Sequence, residues 1–172
     1  LTSILSRLKE NGVISNWGFE LKSPAYTHTI AYTIRGIQEC GRLLSDSSII
    51  DTVVPALDKL LRLSELRGGN MPGLLDEEWR IKGDFVCLTG NLQIAKCLLI
   101  EDSRKNDLRL VNGAARLLDV VCEKQNLNSF FSGIKGGIAG SAPFYGGYMR
   151  FRYPNWAVKY LCDAIVSLSF TY

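Results

Sequence analysis

The chain has 172 residues, 47% of them hydrophobic and 22% charged, with a formal net charge of +3. That length and composition describe one globular domain, and the scattered Lys and Arg residues exclude a nucleic-acid binder. No apolar run approaches the ~20 residues that span a bilayer and no secretory leader opens the chain, so a cytoplasmic location without membrane contact is expected.

In chain order, residues 1–10 read as the end of a helix, with Ile4, Leu5 and Leu8 on one side and Gly12 as its stop. Residues 29–44 carry Ile30, Ile34, Ile37 and Cys40 at helical spacing. Residues 48–64 place Ile50, Val54, Leu57 and Leu61 on one stripe, and Pro55 inside that span demands a kink or a fresh start. Residues 91–101 are apolar on nearly all sides, 107–124 carry Leu110, Ala114, Leu117 and Val121, and 155–170 are again apolar almost all round. No segment alternates with period two for long enough to be a strand; "FVCLTG" comes nearest and is expected to be a loop entering a helix. The five cysteines fall mostly within these helices at core-like positions, without a close pair, and read as buried reduced thiols.

An internal repeat organises these elements. Thr29, Asn91 and Asn155 each stand where a helix cap is expected, at steps of 62 and 64 residues. A long Gly-containing segment precedes each cap (11–28, 65–90 and 125–154), and an outer amphipathic helix follows the first two inner ones. Helices apolar all round need cover on both sides, whereas striped helices face solvent. The expected fold is therefore all-α: an α/α toroid with about three helical hairpins, a partial ring with its long loops on one end. The whole chain, 1–172, is expected to be one such domain, the C-terminal part of a longer ring. Its open edges would be covered by a missing N-terminal half or by a homo-oligomer contact.

The segments "THTIAYTIRG", "CLTGNLQIA" and "GGIAGSAPFYGGYMRFRYPNWAVKYLCDA" resemble an uncharacterised bacterial and archaeal family of the terpenoid-cyclase and protein-prenyltransferase type of toroid. Its relatives are often associated with polysaccharide biosynthesis. The resemblance implies the ring fold and a polysaccharide connection. The chain departs from the chemically understood branches: it has no Asp-rich DxDD or DDxxD run, and its sole His, His28, is a repeat away from Asp84 and Cys87. No metal and no cofactor are expected.

Candidate site residues lie in the segments that feed the inner helices. His28 is a natural general base, or else satisfies a neighbouring carbonyl. Asp84 is a cleft acid or a turn former, with Trp79 as a stacking platform beside it. The acidic run Asp76, Glu77, Glu78 reads as solvated surface. The loop 133–153 offers Tyr145, Tyr148, Arg150, Arg152 and Tyr153, whose aromatic faces suit sugar rings and whose guanidinium forks suit carboxylates; the alternative is a packed plug. Its Gly pairs, 136–137 and 146–147, suggest backbone angles that other residues avoid. Asn91 and Asn155 read as caps that could also hold a ligand oxygen. Three functions stay open: a carbohydrate-related toroid acting on or binding a bacterial polysaccharide or its precursor, with lyase-like chemistry by His28 or Tyr148 and an acid neutralised by Arg150 or Asn155; a non-catalytic glycan- or protein-binding module; and an isoprenoid enzyme without the usual Asp-rich motifs.

Overall fold

The computed structural model describes residues 1–170, and among these seven α-helices, one 3-10 turn (Ser132–Ile134) and four short strands build the fold. The helices are α1 (Thr2–Leu5), α2 (Thr27–Leu44), α3 (Ser47–Asp51), α4 (Val54–Leu66), α5 (Leu88–Lys105), α6 (Leu108–Glu123) and α7 (Asn155–Ser169). The span expected over 48–64 is split, because Pro55 sits in the first turn of α4, where its missing N–H costs nothing. Asp46 caps α3 and Asp107 caps α6, each carboxylate accepting a backbone N–H of the first turn. Ser45 and Asn106 end α2 and α5 in the left-handed conformation. The opening segment is shorter than periodicity suggested: α1 stops at Leu5, and Leu8 bridges to Ile14 around Gly12.

α5 is the central element. It packs between α2 and α7 on its flanks and is backed by α6. Leu92, Ile94, Ala95, Cys97 and Leu98 are wholly buried, which explains a helix apolar on most sides. Gln38 Nε2 donates to the Cys97 carbonyl at 3.1 Å, tying α2 to α5. The inner helices are not equally covered, contrary to expectation. α7 buries only Ala157, Leu161 and Ala164, since no outer helix follows it within the described residues. The cysteines are likewise divided: Cys87 and Cys97 are buried, while Cys122 and Cys162 are exposed.

The all-α expectation is corrected by a four-stranded antiparallel sheet. It is formed by β1 (Ala25–Tyr26), β2 (Pro72–Leu75), β3 (Ile81–Cys87) and β4 (Ser141–Ala142), in the order β1-β2-β3-β4. β1 and β3 run directly into α2 and α5, and β4 lies in the segment leading to α7. The sheet thus fastens the three long segments together at the N-terminal end of the inner helices, with Ala25 opposite Leu75 and Val86 opposite Ala142. β3 escapes pattern reading because most of its first half is exposed on both faces, and only Val86 and Cys87 are fully buried. The turn between β2 and β3 is built by the acidic run itself. Asp76 Oδ1 accepts from the backbone N–H of Glu78 and Arg80, both at 2.9 Å, and Glu77 ion-pairs with Lys9 at 2.6 Å. The run is a staple rather than a solvated face.

Candidate functional site

The close approach of two helix starts sets the site. A Cβ on Gly90 would lie 2.5 Å from Thr27 Oγ1 and 2.9 Å from the His28 backbone N. Only glycine lets the first turns of α2 and α5 approach so closely. That approach brings His28 Nδ1 within 2.7 Å of Gln93 Oε1. The amide oxygen accepts, so Nδ1 carries the hydrogen and Nε2 keeps its lone pair. Burial pushes the His28 pKa down, against the Gln93 hydrogen bond. The ring is therefore neutral at physiological pH.

An aromatic ladder leads to His28. Its ring lies 5.0 Å from that of Tyr148, which lies 5.5 Å from Tyr26; Tyr26 in turn touches Phe85 and Phe19. Tyr148 is only 6% exposed. Ser141 Oγ holds its backbone on both sides, donating to the Tyr148 carbonyl at 2.6 Å and accepting from its N–H at 3.0 Å. Burial pushes the Tyr148 hydroxyl up to about 12, so it stays protonated, and Trp156 Nε1 donates to it at 3.3 Å. The glycines of the loop serve this packing. Hypothetical Cβ atoms on Gly73, Gly83, Gly146 and Gly147 would each come within 3 Å of Phe85. Gly146 and Gly147 have ordinary φ, and of the two expected pairs only Gly136 adopts positive φ. The pair 146–147 is thus required by close approach, not by backbone angle.

A cleft of about 270 Å³ opens between α2, α5 and α7, linked to His28 through Gln93 and Tyr32 in its lining. Tyr32, Arg35 and Glu39 come from α2, Gln93 and Lys96 from α5, and Lys159, Tyr160 and Asp163 from α7. Arg35 pairs with Glu39 at 2.6 Å and Lys159 with Asp163 at 2.5 Å. The hydrogen bond from Arg42, with the charges of Arg35, Arg42 and Lys96, holds the Glu39 carboxyl below its usual range despite partial burial. Lys96 donates to Ser167 Oγ.

Of the residues singled out by sequence, His28 and Tyr148 are brought together. The others are dispersed. Asp84 lies on the outer face of β3, 91% exposed and 3.3 Å from Arg67, because its side of the strand faces away from the helices. Trp79 is buried at the β2–β3 turn, edge-on to Trp17 at 5.5 Å, with its indole N–H on the Asn11 carbonyl; it forms no open platform. Asn91 is not a cap. α5 begins three residues earlier, and the buried Asn91 amide tethers Gly69 at 2.8 Å. Asn155 is the first residue of α7, after Pro154 at the cap. Tyr145, Arg150 and Arg152 are exposed, Arg150 with its guanidinium 5.1 Å from the centre of the Phe151 ring. Sequence reasoning missed the cleft itself, whose residues lie on the helices rather than the loops. The available signal was a polar stripe interrupting apolar inner helices: Tyr32, Arg35 and Glu39 at helical spacing, then Gln93 and Lys96, then Lys159 and Asp163.

No protein-family model matches the chain, and no curated protein matches it in sequence. A solved structure matches it in fold: an unsaturated glucuronyl hydrolase specific for heparin, with a TM-score of 0.72 at 10% identity. The match covers 99% of this chain and 48% of the hydrolase, so the chain spans about half the length of the structure it resembles. At that identity the likeness is one of fold. It assigns the chain to the α/α-toroid class of architecture, and the chain carries a four-stranded sheet besides its helices. No helix among the described residues is long and apolar enough to cross a membrane.

Proposed function

We propose that this chain is part of a carbohydrate-related toroid that binds an acidic polysaccharide, or its precursor, across the mouth of the cleft, and cleaves it by β-elimination. The observation that carries this reading is the neutral His28, anchored through Nδ1 by Gln93, which lines an open polar cleft, and flanked by the tilted rings of Tyr148 and Tyr32. In that role His28 Nε2 removes the proton from the carbon beside a uronate carboxylate. The electron pair forms a C=C bond, and the glycosidic C–O bond at the neighbouring carbon breaks. The leaving oxygen takes a proton, for which the Tyr148 hydroxyl is suited because it stays protonated. Tyr148 is correspondingly a poor base, so His28 takes that part of the pair of candidates. Arg150 and Asn155, on the loop and at the start of α7, are proposed as contacts for the outer part of the chain.

The fold likeness to a glucuronyl hydrolase agrees with a saccharide ligand. The charged lining argues against the isoprenoid alternative, which needs an apolar lumen. The test is incubation of the protein with a panel of uronate-containing polymers, reading the ultraviolet absorbance of an unsaturated product. Turnover that falls by 10²–10⁴-fold in His28→Gln is the expected result. Binding without turnover across the panel would replace the lyase by a non-catalytic glycan-binding module; no binding at all would end the saccharide reading.

A further inference from the structure

The cleft floor holds five ionised side chains, and they do not cancel. Glu39 is engaged by Arg35 at 2.6 Å and by Arg42 at 2.8 Å, and Asp163 is engaged by Lys159 at 2.5 Å. Both carboxylates are thus satisfied by cations on their own helices. Lys96 comes from the central helix between them. Among the described residues it makes no ion pair, and its ammonium donates to a hydroxyl, that of Ser167. Ser167 is itself oriented, donating to the Asp163 carbonyl at 2.8 Å. Partial burial, and then the nearby positive charge of Arg35, work against the Lys96 ammonium, while Asp163 and Glu39 favour it from further off. An ammonium has three donors, and the neutral serine accepts one of them without forming an ion pair. A half-enclosed cation beside a second cation strengthens its interaction with any anion that enters.

We infer that Lys96, supported by Arg35, is an anion-binding subsite for the carboxylate or sulfate of an acidic saccharide, and that it sets the charge requirement of the cleft. The inference rests on the saccharide reading above and adds to it a specific residue and ligand group. The shape of the cleft agrees. Gln93 lies one turn before Lys96 on α5 and holds His28. A saccharide lying on the aromatic ladder at His28 can therefore extend along α5 and set an acidic group on Lys96. Tyr32 and Tyr160 line the same walls, where flat ring faces can border the sugar.

The test measures binding to the whole chain by calorimetry for four probes: glucuronate oligosaccharide, its neutral glucose counterpart, a sulfated glucosamine and inorganic sulfate. Lys96→Gln and Lys96→Arg are compared with the wild type, with a melting curve to establish that each variant is folded. The expected result is that acidic sugars bind at least about tenfold more tightly than the neutral one, and that this preference weakens with added salt. Lys96→Gln should abolish the preference and leave neutral-sugar binding unchanged, and Lys96→Arg should retain most of it. Which of the carboxylate and sulfate probes binds tighter identifies the anion source. Equal binding of acidic and neutral sugars, or a Lys96→Gln variant that keeps the preference, overturns the inference and leaves the saccharide reading standing. Lys96-dependent binding of inorganic sulfate with no sugar bound would sink the saccharide reading, and with it the ligand class named here.

Discussion

His28 and Tyr148 show how two neighbouring rings acquire opposite proton duties from one cause. Burial disfavours the charged form of each, so the imidazole is held neutral and the phenol is held protonated. The consequence for activity is an acid limb: turnover should fall as pH drops through the lowered His28 pKa, so that limb lies below the usual 6.5. The same shift enters stability with a definite sign. The unfolded His28 takes up its proton at higher pH than the folded one, so its favourable contribution is complete above about 6.5 and is lost on further acidification. Asp76 acts in the same direction at lower pH. Burial raises its carboxyl, but the N–H groups of Arg80 and Glu78 and the Arg80 guanidinium bring it down to about 2. Its stabilisation is present above 3.8 and disappears as pH falls toward 2. Melting temperatures across pH 2–8 would show both losses; a flat profile through the histidine range would mean that His28 is not held in its neutral form. Ser141→Ala should cost about 1–3 kcal/mol by leaving the Tyr148 N–H and carbonyl without a partner. It should also weaken ligand binding, because Tyr148 would lose its orientation against His28.

At the scale of elements, the glycines around Phe85 make the sheet and the ladder one unit. Gly146→Ala would drive its Cβ to 2.6 Å from Ser141 Cβ and 2.9 Å from Phe85 Cβ. Overpacking of that kind costs about 1–3 kcal/mol, and denaturant unfolding should detect it. An unchanged midpoint would show that the loop simply shifts outward. The contrast with α5 explains what could be read from the sequence. Helices α2, α4, α5, α6 and α7 announce themselves through i, i+3, i+4 spacing, and Pro55 announces the break between α3 and α4. β3 does not, because exposed Lys82 and Asp84 flank Gly83, its pairing with neighbouring β2 is broken by register shifts, and its other partner, β4, lies far away in sequence. The same holds for the site. His28 is conspicuous as the one histidine, and Tyr148 as part of an aromatic loop. Asp84 and Trp79 stand at the right places in the repeat, yet face outward or inward by strand register and turn geometry that no spacing reveals. The cleft residues were hidden because a charged residue on an apolar helix looks like an ordinary solvent-facing position until α2, α5 and α7 are set side by side.

For the molecule as a whole, the arc of α2, α5 and α7 leaves α7 as an edge. Its inward face, Ala157, Leu161 and Ala164, meets the rest of the bundle. A second stripe, Val158, Cys162, Ile165 and Val166, lies at helical spacing on its outward side, with Ile165 48% and Val166 53% exposed. On α5 the backing layer is supplied by α6, whereas α7 has no such helix after it among the described residues. An apolar stripe of this length rarely stays in water. The expected behaviour of the 172-residue chain is self-association through α7, strengthening with concentration. Sedimentation or light scattering over a concentration series would record a mass approaching twice the monomer. The double substitution Ile165→Lys, Val166→Glu should hold the chain monomeric with its helicity unchanged, because neither side chain belongs to the inward face. A wild-type chain that remains monomeric at high concentration would mean that the α7 stripe tolerates water in this arrangement.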